Sequence, residues 1–160
     1  MIRLAKLTDY GLVLMTIMAR KGMTTVHTAR DLAAASRLPL PTVSKVLKQL
    51  LQSGLLTSQR GLKGGYGLAK DPAEISVAEI VTALEGPIAL TECSTDMTGL
   101  CGLEHSCPTK ANQRIITQVM RGALEKVALS DLAGPMQLTA IRDANGKVLP
   151  TIVHISGSVQ

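Results

Sequence analysis

The residues best suited to do chemistry are three cysteines gathered within fifteen positions. The order is Cys93, seven residues, Cys101, five residues, Cys107, then Pro108. Structural cysteines are usually buried one at a time, so a cluster in a loop-like stretch argues against a packing role. Thiolate sulfur is a soft donor suited to zinc, copper(I) or iron–sulfur clusters. The spacing is not the close C-x-x-C pairing of common structural zinc sites. Cys107 falls at the expected cap of a helix, where the positive dipole end favours thiolate over thiol. Spacing alone leaves open a metal or cluster site, a redox thiol switch and a set of idle thiols. An enzyme with Cys101 or Cys107 as nucleophile and His105 as base finds no support, since no oxyanion donor or substrate pocket can be read here.

A second chemical signal is the distribution of charge along the 160 residues. Residues 1–70 carry eleven Lys or Arg against Asp9 and Asp31, a net +9, while residues 71–160 carry six against ten acids, a net −4. A basic half beside an acidic half points to a polyanion, because neutralising phosphates releases counterions. There is no Trp or Phe and there are two Tyr. Single-stranded nucleic acid is usually held by stacking bases on aromatic rings, so duplex DNA is the expected partner.

Three cysteines are an odd number and argue against a disulfide framework. No apolar run approaches the roughly 18–20 residues of a membrane span. Leu12 to Ala19 is apolar but short, and reads as a buried helix rather than a signal peptide. The expected location is therefore the cytoplasm, with reduced thiols and no membrane partner.

The elements that must position these groups follow from periodicity and punctuation. Thr8 to Lys21 reads as a helix capped by Thr8 and stopped by Gly22. A second helix covers Thr28 to Ala35. Arg37-Leu38-Pro39-Leu40 breaks it, and a third helix starts at Pro41 and runs to about Gln52, burying Val43, Val46, Leu47, Leu50 and Leu51. Two short helices with a tight break form a helix-turn-helix. Strand-like runs at 55–59 and 66–69 enclose the Gly-rich basic loop Arg60-Gly61-Leu62-Lys63-Gly64-Gly65, a hairpin with charge at its tip. Together these form a winged helix. Ser76-Val-Ala-Glu79 is a capping box opening a further helix that ends near Gly86.

A longer helix is expected over about Pro108 to Leu129. Its stripe of Ile115, Ile116, Val119, Met120, Ala123, Leu124, Val127 and Ala128 lacks a large partner, which predicts a homodimer. Residues 134–160 allow either a loose tail or a hairpin turning at 143–147, with 138–141 and 147–155 as flanks. The fold class is mainly α with a small β-hairpin wing, a winged helix-turn-helix domain followed by a long dimerisation helix. The expected division is 1–86 for DNA binding, 87–107 for the cysteine segment, 108–133 for dimerisation and 134–160 for a loosely ordered tail.

On the third helix Thr42, Ser44, Lys45 and Lys48 face away from the apolar stripe and are the candidates for base edges in the major groove. Arg60 and Lys63 at the wing tip can reach backbone phosphate or a minor groove, and Tyr66 is grouped with them.

The opening Met1-Ile-Arg3-Leu4-x-Lys6-x-x-Asp9-Tyr10, the helix-turn-helix, the wing Arg60-Gly61-x-x-Gly64-Gly65-Tyr66-x-Leu68 and the three cysteines resemble the IscR/NsrR-type family of winged-helix regulators. The resemblance covers about residues 1–132 and is greatest to the branch regulating the SUF iron–sulfur assembly operon. It implies a dimeric transcription factor, usually a repressor, that holds an iron–sulfur cluster through Cys93, Cys101 and Cys107, with 2Fe–2S favoured over 4Fe–4S. Cluster state would then set affinity for a double-stranded operator. The family's fourth ligand varies. A histidine three positions after the last cysteine is replaced here by Lys110, which cannot ligate while protonated. Asp9 matches the aspartate that nitric-oxide-sensing members contribute from the partner subunit, and His105 is a local alternative. His27 and His154 are expected in loops without a ligand role.

Overall fold

The computed structural model describes residues 3–61, 64–91, 94, 101–102, 106–134, 137–142 and 148–153, the last two ranges by backbone alone. Helix α1 (Lys6–Lys21) lies at the centre and packs against every other helix of the core except α5, which is reached through α4. It starts two residues before the expected Thr8. Thr8 does not cap it: the side chain is fully buried and its hydroxyl has no partner among the described residues. The capping position is Ala5, whose N–H donates to Glu85 Oε1 at 2.8 Å, a cap supplied from eighty residues away. Gly22 ends α1 at φ 87°, the positive region expected of a helix stop.

Helix α2 (Ala29–Ser36) is opened by a reciprocal box in which Thr28 Oγ1 accepts from Asp31 N and Asp31 accepts from Thr28 N. Helix α3 (Leu40–Gln52) begins one residue before Pro41 and buries Val43, Val46, Leu47 and Leu50 completely, as its period requires. Strands β1 (Leu56–Gln59) and β2 (Gly65–Leu68) pair antiparallel from Leu56↔Leu68 to Gln59↔Gly65, forming the wing. His27 adds a third rung: its N–H donates to Tyr66 O at 2.9 Å and its carbonyl accepts from Tyr66 N at 2.8 Å.

Helix α4 (Val77–Glu85) has the expected capping box, Ser76 with Glu79. Beyond it the expected single long helix is two. Helix α5 (Lys110–Glu125) stops at Glu125, and α6 (Leu129–Ala133) follows. The break has a tertiary cause. Val127 O accepts from Val77 N at 2.8 Å, Leu129 N donates to Ile75 O at 2.7 Å, and the Leu129 side chain is fully buried in the core. Val127 and Ala128 thus bridge to the start of α4 rather than extending the α5 stripe. Finally β3 (Gln137–Arg142) and β4 (Val148–Val153) pair antiparallel, following the hairpin alternative rather than the loose tail. The expected turn at 143–147 lies outside the described residues, as do Lys63, Cys93, His105 and His154. Among the described residues no helix is long and apolar enough to cross a membrane.

Candidate nucleic-acid interface and thiol site

The amphipathic period of α3 sorts its side chains into two sets. The buried valines and leucines clamp it to α1, α2 and α4, and this leaves Ser44, Lys45 and Lys48 exposed on the opposite face, with Thr42 half-buried beside them. Arg60 is exposed immediately after β1. Tyr66 is half-buried, packs against the core, and is locked by its two backbone hydrogen bonds to His27, so it braces the wing rather than tipping it. Between α2 and α3 the exposed Arg37 adopts the left-handed conformation at φ 57° and ψ 25°. The sequence reading missed this cation beside the start of α3; its one local signal is its place directly after the last residue of a helix.

His27 was expected in a loop without a role as a ligand. It is instead 92% buried beneath the wing, its Nε2 unpartnered among the described residues, an 8% exposure that no local pattern signals. Burial holds its pKa below the ordinary imidazole value, Asp31 opposing and Lys21 reinforcing that effect.

The second site is the thiol segment ahead of α5. Cys101 and Cys107 are free and half-buried. Cys107 lies two residues before the capping position of α5, Thr109, and its Sγ sits 3.4 Å from the Thr109 hydroxyl. That hydroxyl holds the thiol pKa below its usual value, with help from the backbone N–H groups of Thr109 and Lys110 and the Lys110 charge. Thiolate at Cys107 is thus favoured as expected, mainly by a neighbouring hydroxyl rather than by a helix dipole alone. The segment is tied to α5 upstream of the cysteines as well, where Leu90 N donates to Thr117 Oγ1 at 3.4 Å. Asp9 is exposed on the first turn of α1. No group of three or more His, Cys, Asp or Glu is brought together among the described residues, so Asp9 does not join Cys101 and Cys107 within one chain. The donor chemistry still fits a thiophilic centre: two accessible thiols close in sequence, one of them held toward thiolate, and an exposed carboxylate free to face another subunit.

Three comparisons bear on these sites. The sequence pattern of the Rrf2 family, described as an iron-dependent transcriptional regulator, matches residues 4–135. A helix-turn-helix transcriptional regulator of Mycobacterium tuberculosis is 35% identical over 135 residues, covering 82% of this chain and 81% of its own. NsrR of Shouchella clausii is 29% identical, covering 81% of this chain and 87% of its own. Among solved structures, CymR, the global cysteine regulator of B. subtilis, superposes with a TM-score of 0.66 at 28% identity, covering 83% of this chain and 97% of its own. The relatives are named as regulators of transcription, and the chain is a DNA-binding transcriptional regulator and not an enzyme. The winged helix and the matched span carry one conclusion: the chain belongs to the Rrf2 family of iron-dependent transcriptional regulators, in its IscR/NsrR-type form.

Proposed function

We propose that this protein is a homodimeric cytoplasmic repressor of iron–sulfur assembly or related stress genes, whose affinity for a duplex operator depends on an iron–sulfur cluster. The SUF-type branch is the one its sequence resembles most. The observation that carries the reading is Cys107, a thiol held toward thiolate at the entry to α5 in a chain of iron-dependent regulators. Cys93, Cys101 and Cys107 would hold the cluster, 2Fe–2S favoured over 4Fe–4S, with Asp9 of the partner subunit as fourth donor and His105 as the local alternative. Such a centre supplies reversible electron transfer and ligand exchange.

The chain's own residues supply the rest. Ile115, Ile116 and Val119 are exposed along α5 and support a second copy as their cover. Helix α5 rests on α4, and α4 rests on α3, so the thiol segment and the DNA-reading helix are joined by continuous packing. Ser44, Lys45 and Lys48 would meet bases and phosphates from α3, with Thr42 at their margin, while Arg60 and Lys63 would meet the backbone from the wing. Ligation of the thiol segment shifts DNA affinity only insofar as it favours one spacing of the two α3 helices over another.

Protein purified without oxygen tests the reading by its visible spectrum, its iron and sulfide content, and its operator affinity with and without the cluster. We expect a brown protein whose affinity changes on cluster loss and whose colour and iron vanish when Cys93, Cys101 and Cys107 are all changed to Ser. Equal affinities, or iron retained by the triple-serine variant, refute it.

A second reading keeps the fold and works the same segment through zinc or bare thiols. The low thiol pKa at Cys107 favours it, as does the likeness to Staphylococcus aureus CymR, also solved in an oxidized form, at 26% identity and a TM-score of 0.63. A colourless protein that holds zinc, or holds no metal and loses DNA affinity on thiol oxidation, would establish that reading instead.

A further inference from the structure

The first turn of α3 presents an apolar surface that the fold does not use. Pro39, Leu40 and Pro41 are all exposed, three apolar residues in succession, and Leu40 leaves 39% of its surface in solvent. Single exposed leucines are ordinary; a consecutive exposed run at the tip of a recognition helix is a feature that folding alone does not select. Its position is specific. The N-terminal residues of the second helix of a helix-turn-helix are those that reach base edges in the major groove. Leu40 stands one turn before Ser44 and two before Lys48, on the face assigned to DNA. Pro41 fixes φ in that turn and so stiffens it.

The polar readers are correspondingly few. From Leu40 to Leu47 the helix holds no Arg, Asn or Gln, the side chains that grip guanine or adenine bidentately. Readout from this turn must draw on apolar contact, and the major groove offers one apolar mark, the C5-methyl group of thymine.

We infer that Leu40, flanked by Pro39 and Pro41, is a specificity-determining residue that selects a thymine in each operator half-site by covering its methyl group. The inference rests on α3 being the DNA-reading helix. Burying one methyl group is equivalent to about a fourfold change in affinity.

Deoxyuridine differs from thymidine only by that methyl group, which isolates the contact. An operator duplex is selected from a random pool with the native dimer, and each thymine is then replaced singly by deoxyuridine. Wild-type protein should lose about fourfold in affinity at one thymine per half-site. Leu40→Ala should bind thymine and deoxyuridine duplexes equally, and selection repeated with it should no longer fix thymine there. Leu40→Met, similar in reach, should keep the discrimination and stands in should the alanine variant fail to fold. Deoxyuridine tolerated at every position, or a penalty unchanged in Leu40→Ala, overturns the inference. Lys45→Ala separates the two levels. If it weakens binding while every deoxyuridine is tolerated, α3 reads DNA but Leu40 does not; if it also leaves affinity unchanged, the assignment of α3 itself fails.

Discussion

The exposed stripe of α5 makes a quantitative claim through Val119→Ala. Val119 is 67% exposed, the most solvent-facing large apolar side chain described, and Ile115 and Ile116 beside it are 58% and 47% exposed. The substitution removes two methyl groups, about 1.6 kcal/mol if fully buried. Two thirds of that surface is free in the single chain, so the part available to an interface is about 1 kcal/mol per copy. Twofold symmetry places the change on both sides, which brings the loss on association to about 2 kcal/mol, roughly a thirtyfold rise in the dimer dissociation constant. The fold itself should change little, because the remaining third is worth about 0.5 kcal/mol and alanine favours helix over valine by a similar amount. Sedimentation equilibrium across a range of concentrations reads the association constant, and a thermal melt reads the fold. A dissociation constant within twofold of the wild type, with the melt unchanged, would show that this face of α5 is not where two copies meet.

Other perturbations test local chemistry. Ser76→Ala removes the α4 cap and should destabilise by about 1 kcal/mol, measured by denaturant titration. Backbone donation from Ser76, ahead of the Lys70 contact, holds the Glu79 carboxyl below its usual range. Its stabilisation is therefore full above the unfolded carboxylate pKa and lost as pH falls through the lower folded value; melts of Glu79→Gln against pH should lack that acid-side loss. Gly65→Ala drives a Cβ into the backbone carbonyl of His27, so it should part the wing from that strand and destabilise by about 1–3 kcal/mol, with weaker operator binding; an unchanged melt counts against this packing. Thr109→Val removes the hydroxyl that most lowers the Cys107 pKa, so the alkylation profile of metal-free protein should move to higher pH; an unmoved profile, read by mass spectrometry of the Cys107 peptide, refutes that cause.

Local signals carried the reading where local physics decides. Pro41, the buried period of α3 and the Ser76–Glu79 box each act within one or two turns, and all three sit close to where the sequence places them. The misreadings share a different cause. Thr8 has the chemistry of a cap, yet the burial of α1 and the distant Glu85 carboxylate move the helix start to Lys6. Val127 and Ala128 continue the apolar period of α5, yet the chain leaves the helix because Leu129 gains the core and two backbone bonds at Ile75 and Val77. His27 pairs with a residue thirty-nine positions away, so nothing near it in sequence signals its burial. At the candidate sites the exposed face of α3 was legible. The gathering of thiols with Asp9 was not, since within one chain the described donors do not meet.

The return of the chain after α5 bears on how the molecule can move. Helix α5 is fastened at both extremities, by Leu90 to Thr117 at one and by Val127 to Val77 at the other, with Leu129 sealed into the interior beyond. It therefore cannot pivot like an appended arm on a swivel. A tilt imposed at its thiol end must drag α4 along, and the reader helix with it, so sensing and reading travel as one solid piece. By the same token, cutting the chain before Leu129 would open a void at its heart, and the reading half could not be detached intact from the sensing half.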